Sequence, residues 1–417
     1  MKMDKQASTR SSLERYRKDI SRCVRCGSCR SVCPSFMPGR LESMSARGRM
    51  ALIQAVLDNR LAVSDLYQDR LATCTGCMAC EAVCASNVPV TGIIQAAKEA
   101  AMREFGLGLV KRVVSAALSS DAAMRGLAWL APVVLHFAGE SVKGKGRRLR
   151  ISDFGLRNEK AKGTKGKIAF FPGCAIRHFQ HDIGRSVVAV LERMGYEVVI
   201  PEGLKCCGRP LLSLGDRNAA EELAAHNTAL LEAIQADAVI TACATCGLTF
   251  KKEYPKLLAP SGKGPVPVQD IHEFLAGKMS GLDLTPGKML VTFHDPCHLS
   301  RGQGLSETAR DVLRVIPGVT LIEMKNADRC CGFGGVMRIT HRGLSDNIAD
   351  FKALDIINAG ASVVATGCPG CRMQIADALR RKGSAIEVMH TVQILEAALL
   401  IADFPDHVGT GSMRNAE

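Results

Sequence analysis

The chain has 417 residues, 47% hydrophobic and 23% charged, a composition that suits two or three folded domains and excludes a disordered polymer. Its formal charge of +13 raises nucleic acid as a partner, but no nucleic-acid-binding motif accompanies the charge, so that class is set aside. Its 18 cysteines exceed what a chain with a large core needs for disulfides, and point to metal or cluster ligation in a reducing compartment.

The first stretch, Met1 to Ile20, is polar, without the apolar segment of a secretory signal. Cys23, Cys26, Cys29 and Cys33-Pro34 then follow C-x2-C-x2-C-x3-C-P, and Cys74, Cys77, Cys80 and Cys84 repeat the spacing. In such a run three closely spaced thiolates hold one cubane and the fourth reaches the other. Cys23, Cys26, Cys29 and Cys84 are therefore assigned to one [4Fe-4S] cluster, and Cys74, Cys77, Cys80 and Cys33 to a second. The second run ends Cys84-Ala85 where the first has Cys33-Pro34; proline shapes the turn and ligates nothing. Structural zinc is the competing reading, disfavoured because zinc prefers separated Cys pairs or Cys/His mixtures. Between the runs, Met50, Leu52, Ile53, Val56 and Leu57 have helical spacing. Arg47 and Arg49 are expected either to pack against the cubane region or to form a solvated helix end.

Residues 101–166 read as a connecting segment, amphipathic and then basic. Its apolar run Gly126 to Ala138 is short of a membrane span and broken by Pro132. It reads as buried helix or as a docking helix. Val142 to Lys167 holds ten Lys or Arg against Asp153 and Glu159, which fits an acidic protein partner or an anionic membrane surface.

From residue 167 the chain repeats itself. KIAFFPGC ends at Cys174 and MLVTFHDPC at Cys297; Cys206-Cys207-Gly208 recurs as Cys330-Cys331-Gly332; Cys243 and Cys246 recur as Cys368 and Cys371. The offsets of 123, 124 and 125 residues mean duplicated domains. In each copy short β-branched runs alternate with helical stretches, which predicts βαβ units and a parallel sheet with the cysteines where strands end. Adjacent cysteines suit a larger cluster, and Gly208 and Gly332 are expected to let backbone approach it. A thiol pair or vicinal disulfide without metal is the alternative. His294 and His298 flank Cys297 and either tune the site, ligate it or bond locally; His178 and His181 read as surface positions. No G-x-G-x-x-G follows a strand and no P-loop occurs, so no flavin, nicotinamide or ATP site is expected on this chain, nor any catalytic residue.

The pattern C-x(31–32)-C-C-G-x(34–35)-C-x2-C in both copies resembles the cysteine-rich CCG domain. That domain occurs in heterodisulfide reductases, anaerobic glycerol-3-phosphate dehydrogenase, lactate-utilisation proteins and the glycolate oxidase iron–sulfur subunit. The order of two ferredoxin-type runs and two CCG domains, with LESMSARGRMALIQAVL (Leu41 to Leu57) and HDPCH (His294 to His298), is similar to the glycolate oxidase iron–sulfur subunit and to the CCG-bearing chain of heterodisulfide reductase. The fold implied is α+β multidomain: a helical ferredoxin-type domain (1–100), the connecting segment (101–166), CCG domains at 167–285 and 286–404, and a disordered tail (405–417). The resemblance implies one or two noncubane [4Fe-4S] clusters, held by Cys174, Cys206, Cys207, Cys243 and Cys246, and by Cys297, Cys330, Cys331, Cys368 and Cys371.

By the same resemblance, the chain would be the electron-transfer subunit of a glycolate or D-lactate dehydrogenase. Its partners would be an FAD-binding subunit and a quinone pool or other carrier, with cytoplasmic placement at the inner membrane face. Two readings compete: a heterodisulfide-reductase-type catalyst, to which the completeness of both five-cysteine motifs is suited, and a redox sensor, for which four clusters are many.

Overall fold

The computed structural model describes residues 9–126 except 12, 121 and 122, and residues 165–400 except 263, 281 and 286. The expectations for residues 127–138, for the basic stretch 142–164 and for the tail 405–417 lie outside the described residues.

Among the described residues before 120 the regular elements are all helical. Helix Ala46–Leu57 starts where Ser45 accepts the Gly48 N–H at 2.9 Å, and helix Asp65–Ala72 where Ser64 accepts from Tyr67 at 3.2 Å. A serine hydroxyl there satisfies an N–H that the helix itself leaves unpaired. Met50, Ile53 and Leu57, on one face of the first helix, enter a core with Tyr67, Leu71, Ile93 and Ala97. Each cysteine run occupies a turn followed by a single turn of helix, Ser28–Ser31 in one and Ala79–Ala82 in the other. The helix Val90–Phe105 closes this core.

Each copy of the repeat builds one four-stranded, all-parallel sheet. In the first, β1 (Lys167–Phe170), β2 (Glu197–Val199), β3 (Ala238–Thr241) and β4 (Val268–Asp270) are ordered β2-β1-β3-β4. In the second, β5 (Met289–His294), β6 (Val319–Leu321), β7 (Val363–Thr366) and β8 (Glu387–His390) are ordered β6-β5-β7-β8. The chain reverses direction across each sheet between its two central strands. A crevice opens at their C-terminal ends, where such sheets bind ligands. Cys174 and Cys243 follow β1 and β3; Cys297 and Cys368 follow β5 and β7.

The copies share a core. Phe170, Ile240, Phe293 and Val364, all fully buried, belong to one apolar cluster spanning both sheets. Burial of each such side chain contributes roughly 1.5–3 kcal/mol. Polar contacts add direction: Ser186 donates to Glu396 at 2.5 Å, Arg193 to Leu399 O at 2.9 Å, and Arg372 pairs with Asp182 at 2.8 Å. The helical region docks on both copies. Gln95 donates to Leu212 O (2.6 Å), Ser115 to Asp216 (2.6 Å), and Asp69 meets His341 at 2.9 Å.

Two histidines lock the copies together at the sheet ends. His272 bonds Thr391 at 2.6 Å, and its ring stacks on His390 with centroids 5.9 Å apart. His390 Nδ1 accepts the Val392 N–H at 3.2 Å, so its Nε2–H donates to Ala242 O at 3.0 Å. Burial pushes the His390 pKa down to about 3. An unfolded histidine titrates near ~6.5, so this ring contributes stability above that pH that is lost as pH falls towards 3. His390→Gln is expected to flatten the acid limb of urea midpoints measured anoxically between about pH 7 and 4. An unchanged slope would remove His390 as the acid-sensitive contact.

Candidate functional site

All 18 cysteines are free thiols, and they gather in three places. The first is a cleft on the helical domain lined by Cys23, Cys26, Cys29 and Cys84, and also by Cys80. Cys26 is exposed there, while Val88 donates its N–H to Cys84 Sγ at 3.5 Å.

The second lies deeper. Cys80 sits among the charges of Cys74, Cys77 and Cys33, and burial chiefly pushes its thiol up. Cys33 is held by Ser35 Oγ at 3.4 Å and by the Arg49 guanidinium, 4.0 Å away. Arg49 is only 1% exposed and donates to Arg70 O (2.7 Å), Ser35 (2.9 Å) and Thr73 (2.6 Å). The buried alternative thus holds for Arg49. Arg47 stays nearer the surface, pairing with Glu42 at 2.9 Å and donating to Arg25 O at 3.3 Å. Arg49→Leu is expected to cost roughly 3 kcal/mol, since the buried Ser35 and Thr73 hydroxyls lose a charged donor and Arg70 O keeps only the Thr73 hydroxyl. It should also lower the reduction potential at Cys33 by removing a neighbouring positive charge. Chemical denaturation and a redox titration check these separately.

The third place is a cavity of about 150 Å³ between the two sheets and the helical domain. Nine of the ten repeat cysteines line it, all but Cys206, together with Cys74. Cys206 stands behind, 3.6 Å from Cys174. In the second copy Cys331 and Cys371 are 3.4 Å apart, and the Gly332 N–H points at Cys330 Sγ at 3.4 Å. The copies meet across the cavity: Cys243 lies against Cys368, and the Ala244 N–H donates to Gly367 O at 3.2 Å. On the helical side, Cys77 contacts Cys330 and packs in one small cluster with Cys297.

These residues fit iron–sulfur clusters. The contact with Cys330, and burial after it, push the Cys77 thiol well up; Cys206 is raised likewise by Cys174, Cys207 and burial. Cys207 goes the other way, because Cys206 and Cys246 donate to it. Thiols packed this closely cannot all ionise without a cation between them. Gly173 is a cradle of the same kind: at φ +68° it passes so near that an added Cβ would stand 2.7 Å from Cys246 Sγ.

The 4Fe-4S dicluster domain model matches residues 19–88, and the cysteine-rich CCG domain model matches residues 168–251 and 291–376. A fumarate reductase (CoM/CoB) subunit of Methanothermobacter marburgensis is 31% identical over 394 residues, 91% of this chain and 73% of that one. The chain belongs to the CCG family of iron–sulfur proteins. Further members similar to it are the probable glycolate oxidase iron-sulfur subunit of Bacillus subtilis (29% identical, covering 91% of this chain and 94% of that one) and a dihydromethanophenazine:CoB–CoM heterodisulfide reductase subunit of Methanosarcina acetivorans (27%, with the same coverages). These relatives are iron–sulfur subunits of multi-subunit oxidoreductases, which gives this CCG protein a redox role and partner subunits. The matched domains carry the ferredoxin-type helical region and the duplicated α/β sheets expected from sequence. No helix among the described residues is long and apolar enough to cross a membrane.

Some local expectations change. Gly208 and Gly332 do take left-handed φ values of 87° and 86°, but an added Cβ would meet Ala220 in the first and Ser345 O in the second. At Gly208 that contact is of ordinary length; at Gly332, 2.7 Å from Ser345 O, a side chain would collide with the neighbouring helix. His178 and His181 are half-buried, and His181 bonds Arg177 O at 2.7 Å. His298 Nδ1 meets Thr245 Oγ1 at 3.0 Å, and Thr245 also reaches Cys368 Sγ at 3.8 Å. Thr245 escaped the sequence reading although it stands inside the Cys243–Cys246 spacer. Arg209, in the cavity wall and paired with Glu253 at 3.0 Å, was also missed. So was Arg301, which donates to Cys77 O at 3.4 Å, because only the tertiary fold brings it there.

Proposed function

We propose that this chain is the electron-transfer subunit of an FAD-linked dehydrogenase of glycolate or D-lactate, working at the inner face of the cytoplasmic membrane and delivering to quinone or another carrier. The observation that carries the reading is the contact of Cys77 with Cys330, which joins the cysteines of the helical domain to those of the second repeat. Cys23, Cys26, Cys29 and Cys84 would hold one cubane, and Cys74, Cys77, Cys80 and Cys33 the other. Each five-cysteine set would hold one noncubane cluster. Clusters there supply one-electron transfer, which suits the draining of a two-electron flavin one electron at a time.

The chain's own residues give this arrangement an order. The first repeat meets the second at Cys243 and Cys368, the second meets the helical domain at Cys330 and Cys77, and Cys26 leads to the surface. Eight of the ten repeat cysteines are buried, which keeps water from them; Cys174 and Cys297 are the more open members. Arg49 and Arg301 place positive charge beside Cys33 and Cys77, where electron arrival adds negative charge.

Anoxic purification from the native host tests the reading. Co-purification of a flavoprotein, with dye reduction by glycolate or D-lactate, is expected. Material lacking flavin and inert to both acids would overturn it.

A second reading is favoured by one observation: cysteines of both repeats, nine of the ten, face a single cavity whose wall also holds His298 and Arg209. In that reading the cavity takes a disulfide substrate, as the names of the heterodisulfide reductase relatives say of those proteins. Disulfide reduction by the isolated chain with a reduced viologen donor would select it.

A further inference from the structure

The two repeats are not equivalent at the residue three positions before their first cysteine. In the first copy it is Phe171, fully buried and packed edge-on against Phe250 with centroids 4.9 Å apart. In the second copy it is His294, the last residue of β5, only 1% exposed. A phenyl ring asks nothing of its surroundings. A buried imidazole asks for a hydrogen-bond partner at each nitrogen, and neither nitrogen of His294 has one.

The neighbouring charged groups are already committed. Asp295 is bound by Arg310 at 2.9 Å and by Ser306 at 2.6 Å. Lys352 donates to Asn326 O (2.6 Å) and Ala327 O (3.0 Å). Ala327 O lies near the ring but out of hydrogen-bonding geometry, and accepts the Asp295 N–H at 3.0 Å as well. The hydroxyls of Thr292 and of Thr366, the latter paired with His294 across β5 and β7, make no hydrogen bond to the ring, and sulfur stands close to it. A ring nitrogen of His294 and the Sγ atoms of Cys331 and Cys371 lie within 4.8 Å of one another, all three buried.

We propose that His294 is a positioning residue of the second repeat, donating a ring N–H to sulfur at the Cys331–Cys371 corner and so raising the reduction potential of that site above that of the first. Five thiolates already supply the donors of the site, so the imidazole is not needed as a ligand. Thiolate or sulfide at this corner carries negative charge and outcompetes a carbonyl that already has two donors. A hydrogen bond to cluster sulfur stabilises the reduced, more negative form. Phe171 offers no such bond, so electrons settle on the repeat whose Cys330 touches Cys77. The inference rests on clusters at both repeats and is independent of which partner or substrate the protein serves.

The test is a redox titration of the anoxically purified full chain, followed by electron paramagnetic resonance, with iron determined on the same samples. His294→Phe should keep its iron while the reduced-to-oxidised ratio of the second site falls roughly tenfold at fixed potential, a downward shift of about 59 mV for one electron. His294→Gln, which keeps an N–H, should recover most of that shift. Should His294→Phe fail to fold, His294→Gln and the unsubstituted chain still decide the matter. The unsubstituted chain labelled with 15N-histidine should show a weak nitrogen coupling in pulsed resonance that His294→Gln abolishes. An unshifted potential with full iron overturns the proposal, as does a strong, ligand-sized nitrogen coupling or loss of iron from the second site alone. Wild-type protein with no iron at either repeat would overturn the cluster assignment beneath it, and is told apart by the iron count.

Discussion

Cys84→Ser is expected to strip the cluster site at Cys23, Cys26 and Cys29 while sparing the one at Cys74, Cys77 and Cys80. Cys84 is distant in sequence from the first run but lines the same cleft as its first three cysteines. Cys33, the fourth cysteine of the first run, turns inward to Ser35 and Arg49 and sits within the charge field of Cys80. A serine hydroxyl at position 84 stays protonated at neutral pH and is a poor iron ligand. The loss should therefore be close to one cluster, about four iron atoms per chain. The fold should survive, since Cys84 is half-exposed, its backbone bonds to Glu81 and Asn87 are untouched, and a serine hydroxyl can still accept the Val88 N–H that now reaches Sγ at 3.5 Å. Anoxic alkylation with peptide mapping reads the outcome directly. Cys23, Cys26 and Cys29 should become reactive, while Cys33, Cys74, Cys77 and Cys80 stay protected. The reverse pattern would mean that each run closes its own cluster.

Much of this was legible in the order of residues, and for physical reasons. Ligation demands cysteines at fixed intervals, so the two runs and the duplicated CCG pattern stood out without any structure. Short continuous apolar runs such as Ile168 to Phe170 and Val363 to Ala365 pointed to strands, and the helical stretches between them required parallel pairing, as β1–β3 and β5–β7 show. What stayed hidden depends on chain segments far apart. Nothing near Cys243 says that Cys368 of the other copy lies against it, and nothing near Cys77 announces Cys330. Arg49 read equally well as solvated or buried, because Ser35 and Thr73 reach it from separate turns. The conformation of the glycines after the paired cysteines was hidden as well. Both take a left-handed φ, and at Gly332 the side a Cβ would occupy is filled by a packed helix, which local sequence does not reveal.

Gly173→Ala is expected to abolish the first repeat's site while leaving the second intact. At φ +68° the backbone is in the left-handed region, where a side chain costs roughly 1–2 kcal/mol before any contact is made. The added methyl would then stand 2.7 Å from Cys246 Sγ, closer than atoms of this size approach. Cys246 cannot retreat, since it is buried and its helix Ala244–Leu248 is tied to the other copy through the Ala244 N–H and Gly367 O, 3.2 Å apart. The strain must fall on the site itself, moving Cys174, the next residue, or Cys246. The second copy provides an internal control, because its matching position is Pro296 at φ −61°, where a Cβ is already accommodated. Pro296→Ala should therefore leave both repeats loaded. In Gly173→Ala, Cys174, Cys206, Cys207, Cys243 and Cys246 should become open to alkylation, and iron should fall by about four atoms per chain. Full protection of those five cysteines would show that Gly173 merely passes the site. Exposure of both sets together would show that the Cys243–Cys368 contact makes the two repeats one cooperative site rather than two.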